Sequence, residues 1–77
     1  MKVIVYSTNS CPFCNMVKDY LDQHNVKYED FNVQMDHDKA KEMISKSGQT
    51  GVPVIDVDGN IVVGFDREKL KILLKLS

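Results

Sequence analysis

The stretch KVIVY, Lys2 to Tyr6, sets four apolar residues in a row, three of them β-branched, with no polar residue between them. A strand with that pattern has no face to turn to water. It must be covered on both sides, the condition at the centre of a parallel sheet. A parallel neighbour requires a crossover, usually helical, before the chain returns. The following residues supply one. Ser7 to Ser10 reads as a loop feeding a helix N-terminus. From Pro12 to about His24 the pattern is helical, with Val17 and Leu21 on one face and Met16 and Tyr20 beside them. Asn25 is a natural stop. Val26 to Val33 reads as the second strand, on Val26, Tyr28 and Phe31, with its alternation slipping at Asp30. Such a slip marks an early strand end or a bulge.

The rest of the chain continues in the same units. Met35 to Gly48 has a helical stripe of Ala40, Met43, Ile44 and Ser47; Asp36 and Asp38 are candidate N-caps, and Gly48 a C-terminal cap. VPVIDV (Val52 to Val57) and NIVVG (Asn60 to Gly64) are strands three and four, and Asp58-Gly59 between them is a hairpin signal. Asp66 caps a last helix with the stripe Leu70, Leu73, Leu74 and Leu76, Ile72 lying off its centre. The expected order is β-α-β-α-β-β-α. The first two strands are parallel with a right-handed crossover, and the last two form an antiparallel hairpin. One mixed four-stranded sheet with three helices, an α/β fold, buries every apolar face. With no repeat and no linker, residues 1–77 read as a single domain. Folding at this size buries only about 60% of the unfolded chain's surface, so local signals must agree with one another.

Charge and cysteine usage narrow the function. A net charge of −1 argues against a general nucleic-acid or anionic-membrane surface. No apolar run is long enough to span a membrane, and the opening apolar burst is too short for a secretory signal. Two cysteines do not make a disulfide scaffold. A Cys11–Cys14 bridge closes a tiny loop and restrains the unfolded chain little. A thiol pair used for chemistry in a reducing cytoplasm is the better reading.

The geometry of NSCPFCNM (Asn9 to Met16) favours that chemistry. With Cys11 as N-cap, Pro12 falls at the first helical position, where its missing N–H costs nothing and its φ is already helical. The Cys11 sulfur then accepts the Cys14 N–H, and the helix dipole adds positive potential. Both favour thiolate, so the Cys11 thiol should titrate well below the free value of about 8.5, and the thiolate is the nucleophile in disulfide exchange. Cys14, one turn deeper on the same side, can attack a mixed disulfide at Cys11 and release the reduced substrate. Zinc is the rival. Only His24 and His37 are available as further nitrogen ligands, and His24 lies on the order of 18 Å along the helix from Cys11. A closed four-ligand site is therefore not expected. Two inert core cysteines fit poorly with a helix N-terminus after a polar loop.

Two further stretches bear on the site. In TGVPVI, Pro53 starts a strand, an ordinary place for proline. The functional reading is a cis Val52–Pro53 bond, with Val52 offering its backbone to an extended substrate that adds like a strand. In VGFD, Gly64 permits a turn, Phe65 packs and Asp66 caps. The alternative is a helix N-terminus that receives a carboxylate or partner backbone, with an exposed Phe65 beside it. The four methionines read as core and edge fillers. The DHDK run lacks calcium-loop spacing, and the clusters KYED, DHDKAKE and DREKLK read as solvated faces.

Cys11-Pro12-Phe13-Cys14 after the first strand, Val52-Pro53 before the third and Gly64 before the last helix together resemble the glutaredoxin-like redoxins of the thioredoxin superfamily, across essentially the whole chain. The SGQTGVPVI and VGFD segments are most similar to the small bacterial YruB-type proteins. The resemblance implies the minimal thioredoxin fold with sheet order 2-1-3-4. It implies Cys11 as attacking thiol, Cys14 as resolving thiol, a cis Pro53, and a substrate or glutathione contact formed by Ser10, Pro12, Phe13, Val52, Pro53, Gly64, Phe65 and Asp66. It further implies a monomer with no bound cofactor and no metal, acting on disulfide-containing proteins with electrons from thioredoxin reductase or glutathione. Two departures bear on the donor. Thr8 stands where glutaredoxins often have a lysine, and Gly64-Phe65-Asp66 replaces a Gly-Gly-acidic ending. Gly-Phe resembles the NrdH-type redoxins, which take electrons from thioredoxin reductase, and shifts the expectation that way. Two other functions stay open at this point: a metal or iron–sulfur module bridging subunits through Cys11, and an adaptor whose partner binding around Phe65 is gated by the Cys11–Cys14 redox state.

Overall fold

The computed structural model describes residues 1–75; Leu76, expected on the last helical stripe, lies outside them. The elements are β1 (Val3–Ser7), α1 (Pro12–Gln23), β2 (Glu29–Asn32), α2 (His37–Ser47), β3 (Val54–Val57), β4 (Asn60–Val63) and α3 (Arg67–Leu73). They form one four-stranded sheet of order β2-β1-β3-β4. β1 pairs parallel with β2 and antiparallel with β3, and β3 pairs antiparallel with β4. This is the expected minimal thioredoxin topology. All five residues of β1 are buried, as an uninterrupted apolar run between two covered faces requires.

The two faces of the sheet carry separate cores. Val3, Val5, Ile55, Val57 and Val62 meet Val17 and Leu21 of α1 and Leu70 and Leu74 of the α3 end. Ile4, Tyr6 and Val54 meet Met43 of α2 on the other face. The local signals hold where backbone chemistry sets them. Asp36, not Asp38, is the N-cap of α2, accepting the Lys39 N–H at 3.1 Å. Gly48 ends that helix at φ 74°, the left-handed region that favours glycine. Asp58 and Gly59 both have positive φ, as a two-residue hairpin turn demands.

Three expectations need correction. The second strand begins at Glu29, not Val26: Val26 and Tyr28 stay outside the ladder and pack against the α1/α3 core. Strand β2 lies at the sheet edge, where polar residues suffice. Ile44 leaves the buried stripe of α2 and is 40% exposed. The space beside Met43 is taken by the polar side chains of Glu42 and Lys46, which reach Tyr6 of β1 and Asp56 of β3. Met16 faces solvent on the outer side of α1, at 46% exposure.

Candidate functional site

The register of the sheet gathers the singled-out residues at one end. Tyr6 pairs with Val54, and Val54 with Val63. β1 therefore leaves the sheet where β3 enters it and where β4 leaves. The loop to Cys11, the Val52-Pro53 pair and the Gly64-Phe65-Asp66 segment all emerge from that edge. A direct bond joins the last two: the Gly64 N–H donates to the Pro53 carbonyl at 2.8 Å. Gly64 has φ 79°, a conformation that a side chain would strain.

Cys11 is the N-cap of α1, with extended backbone (φ −127°, ψ 98°) and Pro12 directly after it. Its Sγ accepts the Cys14 N–H at 3.1 Å. The two cysteines are joined as a disulfide with 5.2 Å between their Cα atoms. Cys14 is wholly buried. Cys11, although it stands at a helix N-terminus after a polar loop, retains only 8% of its surface, its sulfur being bonded to that of the buried Cys14. The exposed face around the pair comes from its neighbours: Ser10 and Pro12 are exposed and Phe13 is 59% exposed.

The Val52–Pro53 peptide bond is cis. Pro53 is buried, and Val52 is half-buried against the Tyr6 and Met43 cluster. Phe65 is not the free aromatic of one sequence reading. It packs on the α1/α3 core with its ring edge-on to Tyr20, centroids 6.0 Å apart. Asp66 caps α3 by accepting the Lys69 N–H at 3.1 Å. Asp66→Ala is therefore expected to lower stability by about 1 kcal/mol, read by urea unfolding. A change under a few tenths would mean that the cap carries no weight.

Three polar clusters near these elements carry no motif and escape a reading by spacing. Asn9, in the loop before Cys11, donates its N–H to Gln34 Oε1 at 3.3 Å, and its Oδ1 accepts from Asn32 Nδ2 at 2.5 Å. These bonds and the Val33 N–H to the Ser7 carbonyl at 2.9 Å tie the redox loop to the segment after β2. Ser7 Oγ donates to Asp30 Oδ1 at 2.8 Å, and Asp30 pairs with Lys18 of α1 at 2.6 Å. On the α2 face, Tyr6 donates to Glu42, while Lys46 Nζ donates to Tyr6 Oη at 2.8 Å and to Asp56 Oδ2 at 2.7 Å. Burial pushes the Asp56 carboxyl upward, but Lys46 and the Gly59 N–H outweigh it and hold it below its ordinary range. Burial and the Glu42 hydrogen bond raise the Tyr6 phenol. One signal was present: Asp56 interrupts an otherwise apolar strand, and a charge there needs a partner. The partner's identity was not readable.

A depression of about 750 Å³ beside Asp22, Asn25 and Tyr28 lies at the far end of α1. Among the described residues no three His, Cys, Asp or Glu side chains gather as a metal site, and no helix is long and apolar enough to cross a membrane.

Residues 3–62 match the glutaredoxin family model. An uncharacterized glutaredoxin-like 8.6 kDa protein in a rubredoxin operon of Clostridium pasteurianum is 45% identical over 71 residues, spanning 92% of this chain and 95% of its own. Glutaredoxin 3 of Escherichia coli K12 is 33% identical over 64 residues, spanning 83% of this chain and 77% of its own. Among solved structures, a mutant form of the thioredoxin-like protein BC3987 superposes with a TM-score of 0.94 at 36% identity, covering 99% of this chain and 97% of that one. With the family match spanning most of the sheet and the whole of the Cys11–Cys14 helix, this chain belongs to the glutaredoxin family.

Proposed function

We propose that the chain is a dithiol–disulfide oxidoreductase that reduces protein or mixed disulfides, with Cys11 as nucleophile and Cys14 as resolving thiol. The supporting observation is the N-cap bond from the Cys14 N–H to Cys11 Sγ at the start of α1. After reduction the same N–H and the helix N-terminus favour a thiolate at Cys11. That thiolate attacks a substrate disulfide, forms a Cys11–substrate bond and expels one substrate thiolate. Cys14, losing its proton, then attacks Cys11 Sγ, forms the Cys11–Cys14 bond and expels the second. Two electrons from a donor restore the dithiol.

Ser10, Pro12 and Phe13 on one side, Val52 and Pro53 in the middle, and Gly64, Phe65 and Asp66 on the other form the surface a substrate approaches. An extended substrate lies along Val52 as an added strand. No bound cofactor or metal takes part in these steps, and a monomer in a reducing cytoplasm suffices. Thioredoxin reductase is the preferred donor and glutathione the second, since Phe65, anchored on Tyr20, fills the place of a second glycine.

Disulfide reduction coupled to NADPH oxidation tests both parts, run once with thioredoxin reductase and once with glutathione plus its reductase. Faster turnover with thioredoxin reductase is expected. Faster turnover with glutathione reverses the donor order, and none with either removes the reductase function.

A further inference from the structure

The backbone of Val52, along which an extended substrate is placed above, is free to receive one. Among the described residues neither the Val52 N–H nor its carbonyl has a hydrogen-bond partner. The residue after it is fixed, the Pro53 carbonyl accepting the Gly64 N–H at 2.8 Å. The residue before it is fixed by a side chain. Gln49 folds its carboxamide over Gly51: Oε1 accepts the Gly51 N–H at 2.6 Å, and Nε2 donates to the Gly51 carbonyl at 3.0 Å. Gln49 is itself held to the end of α2. The Ser47 hydroxyl accepts the Gln49 N–H at 3.4 Å and lies 3.0 Å from the Gln49 carbonyl and 2.8 Å from that of Met43.

The Gly51 carbonyl and the Val52 N–H belong to one planar trans peptide and point in opposite directions. Pinning the carbonyl therefore aims the N–H. Without the carboxamide that peptide plane can turn at Gly51, where no side chain restricts the backbone. Gly51 also admits the clamp. A Cβ there would stand 2.8 Å from Gln49 Oε1, too close for the amide to keep its place. The Gly51 backbone does not have the positive φ that would call for glycine by itself. The carboxamide, not the local conformation, accounts for a glycine at this position.

We propose, resting on the reading of the dithiol given above, that Gln49 is a positioning residue for extended substrates. By bonding both polar groups of Gly51 it holds the Val52 N–H where the carbonyl of an incoming chain can accept it. Gln49 touches no reacting atom. It acts on recognition of the peptide backbone beside the disulfide, as in strand addition. A disulfide without such a backbone gains nothing from it, so the clamp favours protein disulfides over small ones.

The test uses pre-reduced protein and no electron donor. One substrate is a short peptide whose central cysteine carries thionitrobenzoate; the other is the mixed disulfide of mercaptoethanol with the same group. The Cys11 thiolate attacks the carrier sulfur, forms the Cys11–carrier disulfide and expels coloured thionitrobenzoate. Stopped-flow absorbance then gives a half-saturating concentration and a limiting rate. In Gln49→Ala the half-saturating peptide concentration is expected to rise about three- to tenfold, the range spanned by one net hydrogen bond. The limiting rate and the mercaptoethanol reaction should not change. Gln49→Glu keeps an acceptor for the Gly51 N–H but turns a carboxylate oxygen on the Gly51 carbonyl, so it should do no better than alanine. Gly51→Ala should displace the carboxamide and reproduce the loss, and adding it to Gln49→Ala should cost little more. Gly51 is exposed and Gln49 half-buried, and circular dichroism confirms that the proteins compared are folded. An equal loss with both disulfides would mean that the site has merely loosened, and that outcome overturns the proposal. So does an unchanged peptide half-saturation, or additive losses in the double variant. A parent protein that releases no thionitrobenzoate from either substrate would instead remove the reading of the dithiol itself.

Discussion

Replacing Cys11 by serine is expected to reduce disulfide turnover to the background set by the reductant alone, while Cys14→Ser should keep the first chemical step and lose the second. The difference follows from geometry. Cys11 supplies the sulfur at the N-cap, where the Cys14 N–H at 3.1 Å and the start of α1 stabilise negative charge. Serine there still caps the helix, so the fold survives, but a hydroxyl at neutral pH does not open a disulfide. Cys14 has no exposed surface and cannot meet a protein substrate before Cys11 has bound it. In Cys14→Ser the Cys11–substrate disulfide therefore accumulates, and intact-mass spectrometry with peptide mapping should find the adduct on Cys11. An adduct on Cys14 in the Cys11→Ser protein, formed at a comparable rate, would reverse the assigned roles.

Much of the scaffold beneath these cysteines is legible in the sequence because local chemistry sets it. Four apolar residues in a row leave β1 no exposed face. Pro12 after Cys11 marks the helix start, and Asp58-Gly59 can adopt the two positive φ values the hairpin needs. The second strand is misplaced by three residues for a physical reason. Val26 and Tyr28 look like strand residues but serve the core from a loop, and the edge strand that follows is built from Glu29 to Asn32, which no apolar pattern announces. The site divides in the same way. The CPFC helix, the proline pair and the Asp66 cap are contiguous in sequence and readable. The bonds of Asp30 to Ser7 and Lys18, of Tyr6 to Glu42 and Lys46, and of Lys46 to Asp56 join residues from separate elements. Their pairing exists only once the sheet register and helix rotation are set.

That second network should dominate the response of the fold to pH. Asp56 lies on a buried strand with its side chain 10% exposed, and Lys46, at 29%, reaches it from α2 at 2.7 Å. Its carboxyl is held below the ordinary range despite burial, and Glu42 is lowered too, first by the Tyr6 hydroxyl. A group depressed in the folded state stabilises above its unfolded value and loses that contribution as pH falls through the folded value. Stability should therefore be level down to about pH 4 and fall below it. Lys46 is raised: burial opposes the shift, and the bonds to Asp56 and Tyr6 outweigh it. Tyr6 is raised as well, chiefly by burial. Groups raised in the folded state contribute fully below their unfolded values, near pH 10, and that contribution is lost as pH rises past them. Asp56→Asn should cost about 2 kcal/mol at neutral pH and flatten the acid limb. Lys46→Met should cost about 3 kcal/mol, since it leaves a buried carboxylate without its cation. It should also invert the acid limb. With Lys46 gone, burial, already the largest influence on Asp56, is opposed only by the Gly59 N–H and the charge of Lys2; the carboxyl should rise, so lowering the pH from 7 toward 4 should now stabilise the protein. Urea unfolding at pH 7, 5, 4 and 3 distinguishes the cases. A Lys46→Met protein whose stability stays level from pH 7 to 4 and falls below it, as the parent's should, would show that Asp56 is governed by something other than its ion pair.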